Sequence, residues 1–209
     1  ETPVSPEGPT QLAQKLASDE FIVGVELTPP RGYTPHKLLN QARVLVESGI
    51  DVVNIADTPL ARMGMSGWAV AHMVQEELGV EAVLHFPTRG RNLLRVQGDL
   101  LAAHALSVRN LFVVMGDPTA MGDHPQAMNS FDVVPSGLIN LIKRQLNAGW
   151  DHAGQSIGQP TSFVVGCAAN LTPEDPEREI KVMHRKIISG ADFALTQPVF
   201  DVEMAQQYV

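Results

Sequence analysis

The sequence has little of several things, and each shortage removes a class of protein. It holds one cysteine, Cys167, so it can form neither an internal disulfide nor a thiolate zinc cage. Aromatic residues make up only 5%, too few for base-stacking platforms. Positive charge is in deficit, with Lys+Arg 15 against Asp+Glu 23 and a formal net charge of −8, so no net field draws the chain to nucleic acid or to an anionic membrane. No apolar run approaches the ~20 residues of a membrane span. The opening ETPVSPEGPT lacks the basic start and apolar centre of a signal peptide. There is no G-x-G-x-x-G after the first apolar run and no G-x-x-x-x-G-K-[ST] anywhere. The 209 residues are 44% hydrophobic, ample for a core, and the expectation is a soluble, cytoplasmic globular protein.

What is present is a repeated sentence. Compact apolar runs predict strands at 21–27, 51–56, 81–86, 109–115, 162–168 and 192–197. Helical apolar spacing fills 10–20, 36–48, 66–78, 92–106, 135–147 and 176–189, and a last helix begins near Val202. ESGIDVVNIAD (47–57) and ISGADFALTQ (188–197) echo each other: helix end, glycine, aspartate, strand, polar strand end. Most units recur at about 30 residues, the size of one β/α unit of an eight-fold barrel. The fourth carries extra loop at 118–134 and 148–160. A doubly wound open sheet is the rival, but its glycine signature is missing. The predicted fold is therefore α/β, a (β/α)8 TIM barrel with about six of the eight units in this chain. Residues 1–10 are expected to be a linker or disordered lead, and 11–209 the barrel. Such a barrel needs ~250 residues, so strands seven and eight are expected to lie outside this chain.

Active sites of such barrels lie at the C-terminal strand ends. Those positions read Glu26, Asp57, His85, Asp117, Asn170 and Gln197. Glu26, between Val25 and Leu27 and before Pro29-Pro30, is expected to have a raised pKa and to act as a proton donor. The alternative is a solvated carboxylate or a salt bridge to Arg31. Asp117 follows Gly116, which lets a ligand approach the backbone, although a turn-capping aspartate has the same look. His85 opens HFPTRGRN (85–92), whose Arg89, Arg91 and Asn92 precede a helix and could form an anion cradle suited to phosphate, or simply a solvated loop. His85 has no companion at metal-ligand spacing, so no metal site is expected. Lys186 sits in the last turns of a helix, where cations are favoured anyway. Cys167 reads as a buried strand residue and the methionines as gap-fillers.

GVELTPP (24–30), HFPTRGRN (85–92), VVMGDP (113–118) and GADFALTQPVFD (190–201) appear in that order. Together they resemble the methylenetetrahydrofolate reductases, flavin-dependent barrels of one-carbon metabolism. SGLINLIKRQLNAGWDHAG (136–154) and PTSFVVGCAANLTP (160–173) are similar to the reductase module of bifunctional proteins that also carry a homocysteine methyltransferase domain. The resemblance implies a ping-pong reaction in which NADH or NADPH reduces FAD, and 5,10-methylenetetrahydrofolate becomes 5-methyltetrahydrofolate, feeding methionine synthesis. It implies that Glu26 is the general acid, that Asp117 lies near the flavin and the pterin, and that Gln197 contacts the pterin. It also implies that His85, Glu179 and Lys186 help hold FAD, beside the Arg89, Arg91 and Asn92 loop. It further implies a possible homo-oligomer or attached methyltransferase domain. Two positions depart from the family pattern: Met115 stands where arginine is frequent, and Ala168 or Ala169 where tyrosine is. The competing readings are a flavin-free pterin-binding transferase barrel and a non-catalytic fragment that needs a partner. Nothing chooses NADH over NADPH.

Overall fold

The computed structural model describes residues 8–200 and 202–206. The lead expected at 1–10 falls largely outside the described residues. Six parallel strands, β1 (Gly24–Leu27), β2 (Val52–Ile55), β3 (Glu81–Pro87), β4 (Asn110–Val114), β5 (Val164–Ala169) and β6 (Phe193–Thr196), pair in sequence order. Each crossover carries a helix: α2 (His36–Glu47), α3 (Gly67–Leu78), α4 (Leu93–Ala105), α5 (Pro135–Asn140) and α6 (Pro176–Ser189). The helix α5 widens into a π turn over Leu141–Gln145 and tightens over Leu146–Ala148. A short α1 (Gln11–Ala17) precedes the sheet and α7 (Val202–Gln206) follows it. The result is a curled wall of a parallel barrel with helices on its outer side.

Alternation along the strands divides the apolar residues into two clusters. Val53, Ile55, Leu84, Phe86, Leu111, Val113 and Val165 pack against the helices through Leu39, Val70, Val96, Leu100, Leu138 and Ile142. Val52, Val83 and Phe112 point the other way, into the curl, where Leu12 of α1 meets them. The helix α1 is anchored there by its own amides. Gln11 and Leu12 N–H donate to the Glu81 carboxylate at 2.7 and 3.0 Å, and Lys15 pairs with Asp51 at 2.6 Å. These contacts close the N-terminal end of the sheet and leave the C-terminal end as the mouth.

The strand expected at 21–27 begins only at Gly24. Phe21 is 89% exposed, and the Val23 amide is taken by the Asp51 carboxylate at 2.7 Å, so the apolar run does not extend the ladder. Cys167 is buried on β5, as the sequence suggests. No helix among the described residues is long and apolar enough to cross a membrane.

Candidate active site

Glu26 pairs in register with Asn54, and both share the inward face with Val52, Val83 and His85. Val25 and Leu27 alternate to the opposite face, where Leu27 joins the helix-facing core. The Glu26 side chain is 56% exposed, so the apolar enclosure expected from its sequence neighbours is absent. Its carboxylate instead opens toward the mouth. His85, from β3, lies edge-on to Phe112 with ring centroids 4.8 Å apart. Its side chain is only 15% exposed, and burial pulls its pKa down to about 4, so the ring is neutral at physiological pH. The 4.0 Å approach of its Nδ1 to Glu26 Oε2 is therefore not an ion pair at that pH. Its Nε2 and the Asn54 Oδ1 are buried without a hydrogen-bond partner.

Asp117 follows Gly116, whose φ is +88° and whose missing Cβ would lie 2.9 Å from Pro87 Cβ and 3.1 Å from Arg89 Cβ. Only glycine lets the β3 and β4 ends approach this closely. The Asp117 carboxylate accepts the Leu60 N–H at 2.7 Å, tying β4 to the loop after β2. That loop holds Thr58, Leu60 and Ala61 at φ of 48°, 53° and 52°, a left-handed run that costs non-glycine residues about 1 kcal/mol or more each. Arg89 braces it by donating to Thr58 Oγ1 at 2.5 Å and to the Asp117 carbonyl. Glu26, Asp57, Thr58, His85 and Asp117 line one cleft of about 340 Å³ at the mouth.

Of the loop at residues 85–92, Arg89 and Arg91 line one cleft of about 400 Å³, and each also bonds within the fold. Arg91 bonds Asp57 and the Pro87 carbonyl at 2.6 Å each, reaches Asp99 at 3.5 Å, and lies 4.5 Å over the Phe86 ring. Asn92 caps α4 by accepting the Arg95 N–H at 2.9 Å. Arg31 pairs with Asp123 at 2.5 Å rather than with Glu26. Asp123 also accepts from His124 at 2.8 Å and from the Met63 N–H at 3.1 Å, so it ties three mouth loops together. The bonds from His124 and Arg31 hold its carboxyl well below the usual range.

Glu179 and Lys186 stand on α6 against the end of β5. Glu179 accepts the Asn170 N–H at 3.4 Å, and the buried Lys186 ammonium donates to the Ala168 carbonyl at 2.6 Å. Burial pushes the neighbouring Cys167 thiol up, against the pull of Lys186. Neither α6 residue lines the mouth cleft, and Gln197 lies exposed after β6. Among the described residues no group of three His, Cys, Asp or Glu could hold a metal. Two residues escaped the sequence reading. Asn54 carries a visible signal, one polar residue inside the apolar run DVVNIA; Arg62, in the exposed loop, carries none.

The family pattern described as methylenetetrahydrofolate reductase matches residues 11–209. The chain belongs to this family. Curated relatives include methylenetetrahydrofolate reductase 1 of Schizosaccharomyces pombe, 25% identical over 135 residues, covering 64% of this chain and 21% of that protein. Methylenetetrahydrofolate reductase (NADH) 1 of Arabidopsis thaliana is 21% identical over 146 residues, covering 67% of this chain and 24% of that protein. The chain thus spans about a quarter or less of these relatives. Among solved structures, an uncharacterized Clostridium thermocellum protein that binds two copies of 5-methyl-5,6,7,8-tetrahydrofolic acid superposes with a TM-score of 0.57 at 17% identity. It covers 94% of this chain and 62% of its own. A putative phosphonomutase from Burkholderia cenocepacia gives 0.52 at 13% identity, covering 94% and 72%. At these identities the likeness is one of fold.

Proposed function

We propose that this chain is the catalytic barrel of a methylenetetrahydrofolate reductase, converting 5,10-methylenetetrahydrofolate to 5-methyltetrahydrofolate with FAD and with NADH or NADPH. The observation that carries the reading is the family match over 11–209. The grouping of Glu26, His85 and Asp117 in one cleft supports it. So does the folate named for the Clostridium neighbour.

The residues present fit a flavin. A buried imidazole nitrogen on His85 lacks a partner at the mouth, as a group awaiting a polar ligand does. Lys186 has one acceptor in the Ala168 carbonyl and further N–H donors. His85, Asp117, Glu179 and Lys186 are the residues that would hold it, with Arg89 bracing the loop at the rim. When bound, FAD supplies the hydride relay between nicotinamide and folate. Glu26, half open to the cleft, gives a proton to a nitrogen of the folate's five-membered ring, so that the C–N bond breaks and an iminium carbon is ready for hydride. The same exposure lets Glu26 recover its proton from solvent. Gln197 contacts the pterin from the β6 end. Asp117 supplies negative charge to the cleft, its direction fixed by the Leu60 amide that donates to it.

A flavin-free folate carrier is the second reading, favoured by what the Clostridium protein binds. Anaerobic absorption spectroscopy of the purified chain reconstituted with FAD separates the two. The proposed reductase shows a flavin band that NADH or NADPH bleaches and methylenetetrahydrofolate restores. Folate binding with no flavin retained after reconstitution contradicts it.

A further inference from the structure

A second cleft, of about 620 Å³, lies between the loops after β1 and β2. Glu26 and Asp117 supply carboxylates to its lining. Pro29, Pro59, Leu60 and Met63 supply apolar wall, and Arg31 and Arg62 supply cations. The lining therefore combines three chemistries: carboxylates, hydrocarbon and guanidinium. Leu60 and Met63 are 52% and 46% exposed, although the left-handed backbone that presents Leu60 is costly to keep. An apolar side chain held up to water on strained backbone is the arrangement expected of a wall that covers a ligand. The two cations also differ. Arg31 is neutralised by Asp123 at 2.5 Å, whereas Arg62 has no carboxylate within ion-pair distance among the described residues.

We propose that this cleft binds the carboxylate-bearing tail of a folate, its aryl ring against Pro29, Leu60 and Met63 and its carboxylate on Arg62. This rests on the folate reading above and extends it to a specificity residue. A folate carries the complementary groups: a heterocycle with N–H donors, and a tail of a flat aryl ring and carboxylate. One unpaired guanidinium beside a hydrocarbon wall suits a carboxylate. A dinucleotide pyrophosphate calls for a denser set of donors than this cleft holds.

The test is calorimetric and needs no turnover. The full chain, reconstituted with FAD, is titrated with 5-methyltetrahydrofolate, with tail-less 6-methyltetrahydropterin and with NADPH, as wild type, Arg62→Ala and Arg62→Lys. Arg62→Ala is expected to weaken the folate about tenfold, as for loss of one charge-assisted contact. The tail-less pterin and NADPH should keep their affinities, Arg62→Lys should recover part of the loss, and salt should erode the wild-type advantage. Unchanged folate affinity in Arg62→Ala overturns the subsite, as does an equal loss for folate and tail-less pterin, or a loss confined to NADPH. In each of those cases the reductase reading survives. A wild-type protein that binds neither pterin compound removes the reductase reading itself, and the subsite with it.

Discussion

The two faces of the sheet are built from the same strands and differ in almost everything else. The helix-facing side is dry and continuous: Val53, Ile55, Leu84, Phe86, Leu111, Val113 and Val165 are fully buried and backed by four helices. The inward side starts in the same way, with Val52, Val83 and Phe112 covered by Leu12, and then changes character toward the strand ends. There Glu26, Asn54 and His85 replace hydrocarbon, and two of their buried polar atoms have no partner. One face is continuous hydrocarbon, and the other turns polar toward the mouth. The side-chain period of two lets the same short strand serve both.

Substitutions on the dry face sharpen this contrast most. Leu111→Ala, at a fully buried position, is expected to cost 2–5 kcal/mol in denaturant unfolding (roughly the range for core leucines). The affinity for flavin per folded molecule should stay the same. A flavin affinity that fell in proportion would break the division between the faces.

His85 comes next, through pH. Its folded pKa of about 4 lies below the ordinary 6.5 because the neutral ring is buried. Above pH 6.5 the ring is neutral in both folded and unfolded chains and favours neither. As pH falls from 6.5 toward 4, the unfolded chain binds a proton that the folded one refuses. Stability should then drop by roughly 3 kcal/mol, at most, across that window. His85→Phe should flatten that part of the profile, and NMR of the wild-type ring should show it neutral down to about pH 4.

Smaller effects of opposite sign are expected at the mouth. Asn54→Leu removes a buried unpaired oxygen and should raise stability by about 1 kcal/mol while weakening ligand binding. Leu60→Asn, at a left-handed φ of 53°, should gain a few tenths to 1 kcal/mol (an approximate range), because asparagine tolerates that region better. A loss of stability in both variants would show that the mouth is packed like the other face.

The contrast also explains what was legible in the sequence. Strands and helices were, because each is a run of local pattern: VVNI, NLFVV and HKLLNQARVLVE declare themselves. Four strand-end polar residues that line the mouth cleft, Glu26, Asp57, His85 and Asp117, were legible for the same reason. The surroundings of Glu26 were not. Val25 and Leu27 flank it in sequence, yet a strand turns its neighbours to the far face, so adjacency was mistaken for enclosure. The bonds of Arg91 were not legible, for a longer-range reason. Its partners Asp57 and Asp99 come from another loop and from inside α4, and no local pattern announces that they converge. The left-handed stretch at Thr58, Leu60 and Ala61 contains no glycine to betray it.

In the proposed reaction the inward carboxylate of Glu26 serves the folate half and not the nicotinamide half. Glu26→Gln keeps size and hydrogen bonding while removing the transferable proton. Stopped-flow absorbance at the flavin band follows the two halves separately. Flavin reduction by NADH or NADPH should stay within about threefold of wild type, and reoxidation by methylenetetrahydrofolate should slow by roughly 10²-fold or more, the order of magnitude for loss of a general acid. Equal slowing of both halves, or of neither, contradicts that assignment.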